Sequence, residues 1–224
     1  MTFISAAALL YLMMHLCIPL LAETAGIESI VFWFVCGGLG VFTPLIIAGV
    51  IMLRCEGYRL NKETFKGRLR FRNMTAHDWK YSLMALIVIG ILTGAIMLLM
   101  QVLVPSFNHT PSFMEFEPLS SGRYWILLLW FPYWLLNIGG EEFFWRGVLF
   151  PRQEAAWGKY TWLLHGTGWM IFHIAFGWHL MVMLLPLLYI ESYVVQKTQN
   201  SWTGVFLHGI INGPSFVAIA LGAL

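Results

Sequence analysis

Charge is scarce in this sequence. Only 11% of its 224 residues are Asp, Glu, Lys or Arg, against about 25% in an ordinary soluble domain. So few polar side chains cannot cover a globule in water, and a soluble fold is excluded. Cysteine is scarce too, with Cys17, Cys36 and Cys55 the whole complement. Their spacing fits no metal site, Cys17 and Cys36 lie in apolar runs where a thiol acts as a small hydrophobe, and no disulfide framework is expected. No H-E-x-x-H sequence occurs, so the familiar helical zinc-protease motif is missing. No inverted repeat is visible, which argues against a transporter built from two related halves. The opening stretch MTFISAAALLYLMMHLCIPLLA lacks a basic start and a small-x-small cleavage site, and reads as a retained span.

What fills the chain instead is hydrocarbon. Hydrophobic residues make up 59% and aromatics 16%, with mean hydropathy +0.73. Apolar runs long enough to cross about 30 Å of bilayer recur throughout. They predict spans at 3–22, 29–53, 81–104, 124–150, 160–177, 179–196 and 202–223. The fold class is therefore all-α, a polytopic transmembrane helical bundle of about seven to eight spans. It reads as a single integral membrane domain over 1–224, with a motif-bearing core at about 124–223. The fifth and sixth spans are short and nearly touch at FGWH, so they form a tight hairpin or a tilted, re-entrant pair. An eighth segment is allowed for in the loop before the third span.

The few charges are unevenly placed. Of 13 Lys and Arg, eight fall between Arg54 and Lys80. The irregular spacing beside a span fits a cytoplasmic loop better than nucleic-acid binding, and no nucleic-acid partner is expected. Aromatic and aliphatic residues interleave with the basic ones, so the loop either lies along anionic lipid or is solvated. Placing it inside puts the N-terminus, Arg152, Lys159 and Lys197 inside as well, with Arg123 outside and Arg146 within a span. The expected location is a bacterial inner membrane rather than the endoplasmic reticulum. The outer loop, PSFNHTPSFMEFEPLSSG, carries an Asn108-His109-Thr110 sequon that matters only in a host that glycosylates.

Three spans hold residues that hydropathy alone would forbid. Intramembrane ionisable groups cost several kcal/mol on most scales, so each requires a partner or a task. Glu142 and Arg146 stand four apart in WLLNIGGEEFFWRGVLF, share a helix face and are expected to pair. Glu141 points about 100° away and is left for chemistry. His173 follows in the fifth span, and His208 and Asn212 stand four apart in the seventh. Counted at about 1.5 Å per residue from the loop-side ends, Glu141, His173 and Asn212 reach similar depths. A carboxylate, two imidazoles and a carboxamide at one level suit water-activated hydrolysis. His15 and His165 read instead as interhelical hydrogen-bonding residues. Glu191 reads as a boundary residue, and His179 as an interfacial one.

These motifs resemble the CPBP family of intramembrane proteases. That family includes CAAX prenyl endopeptidases of the Ras-converting type and bacterial bacteriocin-processing or self-immunity (Abi) proteins. EEFFWRGVLF matches the first family motif and HGIIN the third. In the second, Trp169 replaces the usual Phe before His173, which keeps an aromatic wall in the substrate pocket. The resemblance covers about Gly139 to Gly213. It implies an intramembrane endopeptidase in which Glu141 and His173 activate water, His208 and Asn212 stabilise the oxyanion, and Glu142 and Arg146 lock the helix. It implies no obligatory metal and no other cofactor, with a membrane-embedded or lipidated peptide as partner, either a prenylated CAAX-type or a bacteriocin-related one. Two alternatives stand beside it. One is a zinc-dependent peptidase using His173 and His208. The other is a catalytically silent scaffold or transporter-like binding protein.

Overall fold

The computed structural model describes residues 2–111 and 115–223, so residues 112–114 of the expected outer loop lie outside the described residues. Among the described residues there are helices and no strands. Helices α1 (Thr2–Ala25) and α2 (Ser29–Cys55) form the first two long stretches. The short α3 (Lys62–Lys66) and long α4 (Ala76–Leu103) follow. Then come α5 (Trp125–Glu141), α6 (Phe150–Trp157), α7 (Thr161–Phe172), α8 (Gly177–Thr198) and α9 (Ser201–Ala220).

Local chemistry fixes several of these ends. Gly26 takes a left-handed φ of 65° that closes α1, its N–H bonded to the Ala22 carbonyl. Thr75 and Asp78 form a reciprocal capping box that starts α4. Asn200 caps α9 by accepting from the Trp202 N–H. The spans expected from hydropathy therefore fall within a few residues of real helices.

Five stretches are long and apolar enough to cross a membrane, and the fourth runs 74 residues, Trp125–Thr198. Drawn straight it would reach about 110 Å, so it has to fold back. It does so after Trp157 and at Gly177, whose φ of 81° suits glycine. Helix α7 has 12 residues, about 18 Å, too short to cross alone. It packs against α8 as a hairpin, the closer of the two arrangements expected for this pair.

Glu142–Leu149 continues α5 with a wider turn, the Phe150 N–H bonding the Trp145 carbonyl five residues back. Such widened turns recur at functional sites because they re-aim the side chains on them. This stretch is the centre of the bundle, with Phe144, Trp145, Arg146 and Val148 all buried. Phe3 of α1 stacks on Trp145 at 4.7 Å and lies close against Gly168 of α7. Helix α4 is peripheral, exposing Ile87, Ile91, Leu98 and Val102 as a lipid-facing surface would.

Part of the basic loop, Arg68 to Phe71, packs onto the bundle, while residues such as Lys66, Arg72 and Asn73 stay exposed. Arg68 pairs with Glu56 and donates to the Gly147 and Val148 carbonyls. Arg70 pairs with Glu154, and Arg72 donates to the Gln199 carbonyl. Leu69 is fully buried against Leu53 and Val148. These guanidiniums satisfy carbonyls at the ends of helical segments, which the sequence pattern could not pair with them. The extra segment in that loop is α3, whose five residues are too few to cross a membrane.

Candidate active site

Glu141 closes α5, and its carboxylate is 2% exposed. Asn137, one turn earlier, donates Nδ2–H to Oε1 at 2.9 Å. Trp169 of α7 donates its indole Nε1–H to Oε2 at 2.7 Å. Each oxygen keeps a second lone pair. The backbone carbonyl of the same Trp169 accepts from His173 Nδ1 at 2.8 Å. A carbonyl only accepts, so Nδ1 carries the ring proton and neutral His173 presents a basic Nε2. Trp169 thus holds both residues, one by its side chain and one by its backbone.

His173 stands at the end of its helix. It ends α7 and opens the tight turn His173–Phe176. The twelve residues of α7 set its depth, and the turn that follows ends the helix there.

Behind Glu141 lies a closed charged cluster. Glu142, Arg146 and Glu191 are all fully buried. Arg146 Nε stands 3.5 Å from Glu142 Oε2, and its Nη2 stands 2.6 Å from Glu191 Oε1. Neither approach has hydrogen-bonding angles. The guanidinium instead lies over the Trp169 ring, Cζ 3.5 Å from the centroid, a cation–π contact between desolvated groups. The expected Glu142–Arg146 pair is therefore present but loose. Glu191, expected at the membrane boundary, is the closer counter-charge.

The second arm of Glu142 reaches α9. Its Oε1 accepts from His208 Nδ1 at 2.9 Å. His208 Nε2 in turn accepts from the Asn212 amide at 2.9 Å. Both nitrogens of His208 are thus engaged, and Asn212 keeps its second N–H. His15 bonds the Ala175 carbonyl and His165 bonds Gln153, the interhelical roles expected of them. His179 packs against Phe107 and Trp178 at the start of α8.

Glu141, Trp169, His173, His208 and Asn212 line one cavity of about 300 Å³, with Asn137 beside them. The four polar residues singled out from the sequence converge there. Asn137 went unnoticed, although it is a polar residue one turn before Glu141 in an apolar span. Among the described residues, Glu142, Glu191 and His208 form the one group of three ligand types within 4.8 Å, and His173 is not in it. Arg146 already places positive charge there, and neither glutamate lines the cavity.

Residues 123–213 match the family model described as type II CAAX prenyl endopeptidase Rce1-like. Over that segment, less than half of the chain, the sequence is similar to the CPBP/CAAX proteases. The match contains Glu141, Trp169, His173, His208 and Asn212, and the long apolar helices around them make the chain an integral, multi-pass membrane protein. No curated protein and no solved structure matches the chain.

Proposed function

We propose that the chain hydrolyses peptide bonds inside the membrane with a water activated by Glu141 and His173. The observation that carries this reading is the double anchorage of Glu141 and His173 on Trp169 at the wall of one cavity. The carboxylate takes a proton from water as the oxygen attacks the scissile carbonyl carbon. His173 Nε2 shares that proton and passes it to the departing nitrogen as the C–N bond breaks. The free N–H of Asn212 meets the developing oxyanion, and one such donor is worth about 3 kcal/mol. Glu142 and His208 hold that amide in place through the Glu142–His208–Asn212 chain. Hydrolysis of a reconstituted membrane peptide, followed by mass spectrometry of the fragments, tests the reading directly.

Trp169→Phe removes one donor from Glu141 while keeping an aromatic wall. A hydrogen bond to a charged group contributes about 1.5–3 kcal/mol, so turnover should fall about tenfold to a hundredfold. Phe still stacks under Arg146, so the melting temperature should move little. Unchanged turnover would remove Trp169 from the positioning role.

The mechanism as drawn uses no metal. A zinc at Glu142, Glu191 and His208 would have to displace the guanidinium and would sit behind the cavity wall. Purified protein is expected to keep its turnover after exhaustive chelation, with metal well below one equivalent. Zinc bound one per chain, and lost in step with activity, would overturn the metal-free version.

A further inference from the structure

The cavity lies mostly in one half of the bundle. Its walls come from the first half of α2 at Trp33, from α5 between Trp130 and Glu141, and from the first half of α8 and second half of α9, at Met183 and Phe216. His109, Thr110 and Pro111 of the loop after α4 border it. The other ends of these helices meet the basic loop, through Arg68 on Val148, Arg72 on Gln199 and Ser201 on Leu69. No basic-loop residue lines the cavity.

Between that loop and Glu141 the interior is closed. Glu142, Trp145, Arg146, Val148 and Leu69 are all fully buried. A substrate coming from the loop side would have to cross this packed layer and its charges.

The walls also restrict chemistry. Among the described residues no Lys or Arg lines the cavity, and Glu141 is the single acidic one. Burial holds the pKa of His109 below its usual value, so that ring is neutral near pH 7. A substrate carboxylate would enter without a counter-charge, at a cost of several kcal/mol. Trp134 lines the same cavity, and its indole N–H has no protein partner. That is a donor for a main-chain carbonyl.

We propose that the cavity receives an uncharged peptide segment from the membrane face opposite the basic loop. By the positive-inside rule that face is extracytoplasmic. The assignment of a peptide rests on the peptidase reading, whereas the direction of entry rests on the walls alone.

The test uses the full chain in cells, with Cys17, Cys36 and Cys55 replaced by Ser. Ser215→Cys lies in the cavity wall, Thr110→Cys at its border and Lys66→Cys in the basic loop. A membrane-impermeant thiol reagent added to intact cells should label the first two and spare the third. In inside-out vesicles the pattern should reverse. Labelling of Ser215→Cys and Thr110→Cys only from the Lys66 side overturns the proposed entry. A capped peptide of Leu, Ala and Phe should slow labelling of Ser215→Cys, and the same peptide with a central Asp should not. Equal protection by both, or by neither, rejects an uncharged-peptide site. Hydrolysis is scored separately in the same membranes, so a wrong direction of entry and a wrong chemistry give different results.

Discussion

Glu141→Gln is expected to abolish hydrolysis while leaving the thermal midpoint of the purified protein nearly unchanged. The amide keeps the shape of the carboxylate but cannot take a proton from water. Its oxygen still accepts from Trp169, and Asn137 can turn its own oxygen toward the new N–H, so both neighbours stay satisfied. Glu142→Gln is expected to do the reverse first. It loses charge beside Arg146 and weakens the bond from His208. Removing one partner of a buried pair costs about 3–5 kcal/mol, and the surviving Glu191 contact holds the loss near the lower bound. Melting curves and turnover measured on both variants separate the roles. A Glu141→Gln enzyme that still cleaves, or two variants equally destabilised, would end the division of labour between the adjacent glutamates.

The helices were legible because lipid imposes a simple rule. A segment crossing hydrocarbon must be apolar over its whole length and must satisfy its backbone internally. Runs such as 29–53 and 81–104 therefore announce themselves. The widened turn at Glu142–Leu149 does not, because it depends on what packs around Trp145 and Arg146 rather than on local propensity. The tight turn that begins at His173 was equally silent, because the apolar run continues past it while α7 stops.

The site was legible because polar residues stand out in an apolar background. Glu141, His173, His208 and Asn212 were found by that contrast, and they share one cavity. Their partners were harder to read. Trp169 looks like any aromatic wall until its indole N–H is seen on Glu141. Glu191 lies fifty residues downstream of Glu141, and nothing in its own span points it at Arg146. The basic loop showed its charge but not its destination, since its arginines meet backbone carbonyls that carry no side-chain signature.

One of the tightest constraints around the charged cluster is a residue with no side chain. A Cβ added to Gly204 on α9 would stand 2.3 Å from Glu142 Oε2, 3.2 Å from Glu191 Oε1 and 3.3 Å from Arg146 Cγ. None of these groups can retreat, because all three residues are fully buried. Gly204→Ala must therefore push α9 outward or separate charges that have no solvent to replace their partners. Overpacking costs about 1–3 kcal/mol and occasionally more, and separating the buried cluster adds to it. The same shift would draw His208, one turn further along α9, away from Glu142. Gly209→Ala provides the comparison on the same helix. Its new Cβ would meet Trp134 at 3.5 Å, an ordinary contact, and replacing a helical Gly by Ala favours folding by about 0.5–1 kcal/mol. Gly204→Ala is expected to give little folded protein, a melting point far below the parent and no turnover. Gly209→Ala should melt at or above it. Equal melting points for the two would mean that the cluster around Arg146 is not the rigid back wall on which Glu141 depends.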